Sequence, residues 1–174
     1  AERFNNIKID VAEKDPDIGP IINKKQLNRI EEFVENALEN GAKILAQAKK
    51  PDLDGYFYPP TLLGSVDNNS DIAKKEVFGP VLTVHPFEDE DEAIEIANDV
   101  EYGLVGAVWT KDTGRAHRVA NAIRAGQVYV NGYGAGGGVE LPFGGLKKSG
   151  FGREKGFEAM HDFSVVKTTV INHS

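Results

Sequence analysis

The chain contains no cysteine. That single absence excludes disulfides, thiolate metal ligands and a cysteine nucleophile. Its four histidines, His85, His117, His161 and His173, show no His-x-x-x-His spacing, so no metal site is expected. No block of lysine and arginine is long enough to neutralise many phosphates, and the formal net charge is -7, which argues against a nucleic-acid surface. No apolar run approaches bilayer-spanning length, and AERFNNIKIDVAEKD lacks the apolar centre of a secretory signal, so no membrane association is expected. No Gly-x-Ser-x-Gly pattern supports a serine hydrolase.

What is present is ordinary globular composition: 40% apolar and 27% charged residues over 174 positions, enough for one core or for part of a larger domain. The acidic run EDEDEAIE at 88–95 reads as a solvated helix start, where carboxylates favour the exposed amides of a first turn.

The first twenty residues resemble the tail of something earlier, because Pro16, Gly19 and Pro20 interrupt them. A strong helix is predicted over 23–39, with Leu27, Ile30, Phe33, Val34, Ala37 and Leu38 on one stripe. Asn23 and Gln26 there have capping-box spacing. Short strands are predicted at 43–48, near 62–66 and in VLTVHPF, with a helical turn in DIAKKEVF. Asp89 and Asp112 cap two further helices, alternating with strands in GLVGAVWT and QVYVN. This alternation predicts an α/β fold, a mainly parallel sheet with flanking helices. Glycine crowds 132–152 and predicts tight turns, and a final strand is expected over 163–171, free to pair with a partner subunit.

Several residues are candidates for chemistry. Glu76 in KKEVFGP can accept hydrogen bonds from a ligand hydroxyl, with Phe78 as a flat apolar wall, although most glutamates are simply exposed. The glycine run at 134–138 does not match a phosphate loop or a dinucleotide fingerprint, and a pocket rim or subunit contact suits it better, with Phe143 facing an apolar substrate. Lys147, Lys148 and Arg153 suit an anion, or equally a tether to nearby carbonyls and carboxylates. Asn131 can hold the turn that follows QVYVN.

In order along the chain, IGPIINKKQ, GYFYPPTLL, KKEVFGPVLTV, EYGLVGAVWTKD, GQVYVNG and PFGGLKKSGFGREKG resemble successive blocks of the NAD(P)-dependent aldehyde dehydrogenase superfamily, from residue 18 to about 171. The resemblance implies that residues 1–162 are a portion of the catalytic domain and 163–174 an oligomerisation strand and tail. It implies that Glu76 binds the nicotinamide ribose hydroxyls and Phe78 packs near the nicotinamide. Phe143 would line the aldehyde tunnel, with Asn131, Gly144 and Gly145 as structural supports. In such enzymes a cysteine thiolate attacks the aldehyde, hydride passes to NAD(P)+, and water hydrolyses the thioester. The cysteine, its supporting glutamate and asparagine, and the main cofactor domain would precede residue 18, so no catalytic residue is assigned here. The implied parent is a cytoplasmic homo-oligomer that oxidises an aldehyde to a carboxylic acid, with NAD+ favoured over NADP+. The chain alone is expected to be inactive and to hold no cofactor stably. The alternative is a noncatalytic oligomerisation or ligand-binding module.

Overall fold

Helix α2 (Lys24–Glu39) begins where the sequence offers a cap, the Asn23 side chain accepting a hydrogen bond from the Gln26 amide at 2.8 Å. Helical spacing turns Leu27, Ile30, Val34 and Ala37 to one side, and all four are buried. Phe33 packs partly against the same cluster, whereas Leu38, expected in the stripe, is exposed at its edge. The computed structural model describes residues 1–134 and 138–173, so the middle of the 134–138 glycine run lies outside the described residues, as does Ser174. The chain divides into two compact units, Ala1–Glu88 and Asp89–Ser174.

In the first unit, α1 (Glu2–Asn5) and a 3-10 turn (Ala12–Lys14) precede α2. Strands β1 (Lys43–Gln47), β2 (Thr61–Gly64) and β3 (Val81–Thr83) follow, with the short helix α3 (Asp71–Lys74) between the last two. They form one sheet in the order β1-β2-β3. The β1–β2 pairing is antiparallel and the β2–β3 pairing parallel. The apolar face of α2 joins Ala42, Tyr58, Leu63, Ile72 and Val77 in one core cluster. Ile30 and Leu63 are fully shielded there, and burying each such side chain contributes about 1.5–3 kcal/mol. Thr61 is equally buried, and its hydroxyl is satisfied by donating to the Pro59 carbonyl and accepting from the Gln47 amide.

The first twenty residues are more integrated than their composition predicts. Ile9 is buried with Ala48 and Phe57 in a second small cluster, and it bridges to Ile18. Pro16, Gly19 and Pro20 prevent a helix but leave the backbone free to fold back in an extended form.

In the second unit, α4 (Glu90–Asn98) and α5 (Thr113–Ala122) start at the expected caps, with Asp89 accepting from the Glu92 amide and Asp112 from the Arg115 amide. The predicted strand in GLVGAVWT is divided into β4 (Tyr102–Gly103) and β5 (Val105–Val108), because the chain changes pairing partner at Leu104. Strand β5 pairs in parallel with β6 (Gln127–Val130), and α5 supplies the crossover between them. Strand β4 pairs antiparallel with β7 (Leu146–Lys147). The sheets are therefore mixed within an α/β fold, where the alternation of elements alone suggested mainly parallel pairing. The β1–β2 link contains no crossover helix, and the β4–β7 pair joins segments far apart in sequence.

Helix α6 (Gly156–Asp162) was not legible in the sequence, since it follows a glycine-dense stretch and begins after Lys155 at φ 64°. Residues 163–171, expected as a strand, form no ladder among the described residues, and Val165 and Val166 are more than nine-tenths exposed. At the start of this segment the Phe163 and Ser164 amides donate back to the Ala159 and His161 carbonyls of α6, and beyond them the exposed backbone is left to solvent. Among the described residues no helix is long and apolar enough to cross a membrane.

Ile30 is the residue on which the first unit's core closes. Replacing it with alanine is expected to lower unfolding free energy by about 2–5 kcal/mol, read from the urea midpoint at unchanged slope. A loss below about 0.5 kcal/mol would show that this contact is dispensable.

Candidate functional site

The segment KKEVFGP follows α3 and is drawn inward at one point. Val77 is buried in the α2 cluster, so its neighbours Glu76 and Phe78 are turned outward and exposed. Phe78 takes a left-handed backbone, φ 57°, which costs a bulky residue about 1–2 kcal/mol and must be held by its surroundings. Two side chains of α2 do so. Gln26 Nε2 donates to the Val77 and Phe78 carbonyls at 2.9 and 3.1 Å, and an Arg29 guanidinium N–H donates to the Glu76 carbonyl at 2.8 Å. The Arg29 guanidinium also lies 5.8 Å from the Phe78 ring centre and 5.2 Å from that of Phe33. Gly79 completes the turn, because a Cβ there would stand 2.5 Å from Ile30 Cδ1.

Glu76 and Phe78 consequently border the same open depression of about 300 Å³, which Leu82 and Thr83 also line. The Glu76 carboxylate makes no hydrogen bond or ion pair among the described residues, and the Phe78 ring is 65% exposed. A carboxylate accepts hydrogen bonds only, and a free aromatic face suits a flat partner. The pair therefore has the chemistry to receive a hydroxyl-bearing ring system.

The second unit holds the other expected positions. Phe143 is half-buried and exchanges two backbone hydrogen bonds with Glu154, 2.7 and 2.8 Å. The Lys155 ammonium lies 5.3 Å from its ring centre. Phe143, Leu104, Phe151 and Phe163 border an open hollow of about 530 Å³, an apolar setting edged by Arg153 and Asp162. Gly144 and Gly145 sit where the backbone is crowded. A Cβ on Gly144 would lie 2.5 Å from the Gly152 carbonyl oxygen, and one on Gly145 would lie 2.5 Å from Ser149. Asn131, at φ 52°, uses both ends of its amide on Thr110, accepting from its N–H and donating to its carbonyl at 2.8 Å each. That clamp joins the chain just beyond β5 to the chain just beyond β6.

The cationic cluster resolves as a set of tethers. Lys147 donates to the Asn98 and Val100 carbonyls at the end of α4, Lys148 pairs with Glu101, and Arg153 donates to the Gly145 and Gly152 carbonyls. No group of His, Asp and Glu among the described residues could hold a metal ion. Local sequence did not reveal Gln26, Arg29 or Asn98 as organising residues. Gln26 has capping-box spacing, yet its side chain is committed to carbonyls 51 and 52 positions away. Asn98 donates to the Ala122 carbonyl and accepts from the Arg124 amide, tying the ends of α4 and α5 together.

Residues 1–169 match the model of the aldehyde dehydrogenase family. The chain belongs to the aldehyde dehydrogenase family. A Staphylococcus saprophyticus protein named as a candidate aldehyde dehydrogenase is 43% identical over 171 residues, covering 96% of this chain and 36% of the relative. Betaine aldehyde dehydrogenase from Staphylococcus aureus, solved in complex with NAD+, superposes with a TM-score of 0.86 at 41% identity, covering 93% of this chain and 33% of the other. A candidate aldehyde dehydrogenase from Burkholderia cenocepacia gives a TM-score of 0.93 at 46% identity, over 100% of this chain and 37% of that one. The chain thus spans about a third of the length of the aldehyde dehydrogenases it matches.

In this aldehyde dehydrogenase chain, α4 and α5 are also joined electrostatically. Glu90 accepts from Arg118 at 2.7 and 2.9 Å and from Arg115 at 3.1 Å. The Arg118 hydrogen bonds, then the single one from Arg115, hold the Glu90 carboxyl below the usual glutamate range. A depressed folded pKa means that this tie is fully present above the ordinary glutamate value and is lost as pH falls through the lowered one. A carboxyl-detected NMR titration is expected to place the Glu90 midpoint below those of unpaired glutamates, and Arg118→Ala is expected to move it back. A Glu90 midpoint equal to theirs would contradict the tie.

Proposed function

We propose that this chain is the later portion of an enzyme that oxidises an aldehyde to a carboxylic acid with NAD(P)+, with NAD+ favoured. The observation that carries the reading is the joint presentation of an unpartnered carboxylate, Glu76, and an exposed ring, Phe78, over one depression. Those groups fit a nicotinamide riboside: vicinal ribose hydroxyls donate to a carboxylate, and a planar ring lies against an aromatic face. The NAD+ in the S. aureus betaine aldehyde dehydrogenase structure supports this cofactor class. When bound, the nicotinamide supplies a hydride acceptor.

The residues of this chain then bind and orient. Glu76 fixes the ribose and with it the position of the glycosidic bond that carries the nicotinamide ring. Phe78 covers one side of the nicotinamide and excludes water there. Phe143, in its apolar hollow, lines the approach for the aldehyde, and Asn131, Gly144 and Gly145 hold the backbone around that approach in place. With no cysteine in the sequence, the nucleophile comes from another part of the parent protein, and the isolated chain is inactive. The exposed Val165, Val166, Val170 and Ile171 suit a strand that completes its ladder on a second subunit, giving a homo-oligomer.

In the full-length enzyme, Glu76→Gln is expected to lower kcat/KM for NAD+ roughly tenfold or more, the worth of a lost charged hydrogen bond. The same value as the parent enzyme would remove Glu76 from cofactor binding. Aldehyde-dependent NADH formation by the isolated chain would contradict the assignment of the nucleophile.

A further inference from the structure

Resting on the proposed roles of Glu76 and Phe78, we infer that Arg29, assisted by Gln26, is a positioning residue for cofactor binding: helix α2 sets the aim of that pair through their own backbone and ring. Three consecutive carbonyls, those of Glu76, Val77 and Phe78, accept hydrogen bonds from these two side chains. Fixing the Glu76 carbonyl holds the peptide plane next to its Cα and so helps set the Cα–Cβ direction from which its carboxylate extends. The carboxylate has no partner of its own among the described residues, so the backbone is what sets the point from which it reaches a ligand.

Phe78 has a comparable need. Its ring is largely exposed and its backbone is left-handed, so core packing does little to select one orientation. The Arg29 guanidinium supplies a face for it, and Phe33, partly packed on the core, supports the guanidinium in turn. One planar group thus donates to a carbonyl while lying against two rings. Lysine, a point charge on a flexible stem, cannot do both at once. Gln26 places one amide nitrogen against two successive carbonyls, which leucine cannot replace.

The test uses the full-length enzyme and the variants Arg29→Lys, Gln26→Leu, Glu76→Gln and the Arg29→Lys/Glu76→Gln double variant. Arg29→Lys is expected to raise KM for NAD+ roughly tenfold, while kcat stays within about twofold and KM for the aldehyde is unchanged. Gln26→Leu follows in the same direction. The double variant is expected to lose little beyond Glu76→Gln alone, because both changes act through one carboxylate. If Glu76→Gln raises KM but Arg29→Lys and Gln26→Leu do not, or if the double variant is fully additive, the positioning role is wrong and the reading of Glu76 survives. A parallel fall in kcat, aldehyde KM and thermal midpoint would make Arg29 merely structural and overturn the inference. If Glu76→Gln itself leaves KM unchanged, the reading of Glu76 fails first and this inference with it.

Discussion

The contact between Ile30 and Gly79 governs the first unit. Ile30 is completely shielded on the inner face of α2, and the backbone at Gly79 comes so close that any side chain there would strike it. That approach brings residues 76–78 within reach of Gln26 and Arg29, one turn apart on the same helix. Without it, the left-handed backbone of Phe78 would relax and the outward pair would lose its common orientation. Hydrophobic burial therefore places the segment, and polar contacts of the helix then set its conformation. The order matters, since exposed hydrogen bonds are individually worth about 0.5–1.5 kcal/mol and could not hold the turn without the core beneath it.

The second unit is organised differently. Among its described residues only Gly103, Ala116 and Gly145 are buried, so no large side chain is fully removed from water. Its order comes from polar closures at the ends of elements: Asn98 across α4 and α5, Lys147 on the last carbonyl of α4, Asn131 across the strand ends, and Arg153 within the glycine-rich turns. The glycines allow these closures. A Cβ on Gly126 would lie 1.6 Å from the Gly144 carbonyl oxygen, so the chain before β6 and the PFGG segment meet backbone to backbone. Apolar side chains left half-exposed in this unit, and the uncovered residues beyond 163, belong with a chain that spans a third of its relatives' length.

Local signals in the sequence were the most legible. Asn23, Asp89 and Asp112 each precede an amphipathic repeat and each caps its helix, because a cap is decided by a few neighbouring residues. The ordered motif blocks pointed to the family, and the match over 1–169 bears that out. Long-range features were hidden. Gln26 looks like a cap partner until its true acceptors, more than fifty residues on, are known. The mixed pairing of the sheets depends on which strands meet, which periodicity does not encode. Helix α6 is short and starts beyond glycines that discourage any helix, and residues 163–171 have the composition of a strand but no neighbour among the described residues to pair with. Glu76 and Phe78 were visible as candidates, whereas the contacts of Gln26 and Arg29 with the carbonyls of 76–78 were not.

Helix α2 is proposed to turn Glu76 and Phe78 toward one ligand. The most direct measurement is a crystal structure of the full-length enzyme with NAD+ bound. The account predicts a ribose hydroxyl within hydrogen-bond distance of the Glu76 carboxylate and the nicotinamide against the Phe78 ring, with the Gln26 and Arg29 contacts intact. A bound cofactor whose ribose lies beyond reach of Glu76, or whose nicotinamide is away from Phe78, would contradict it.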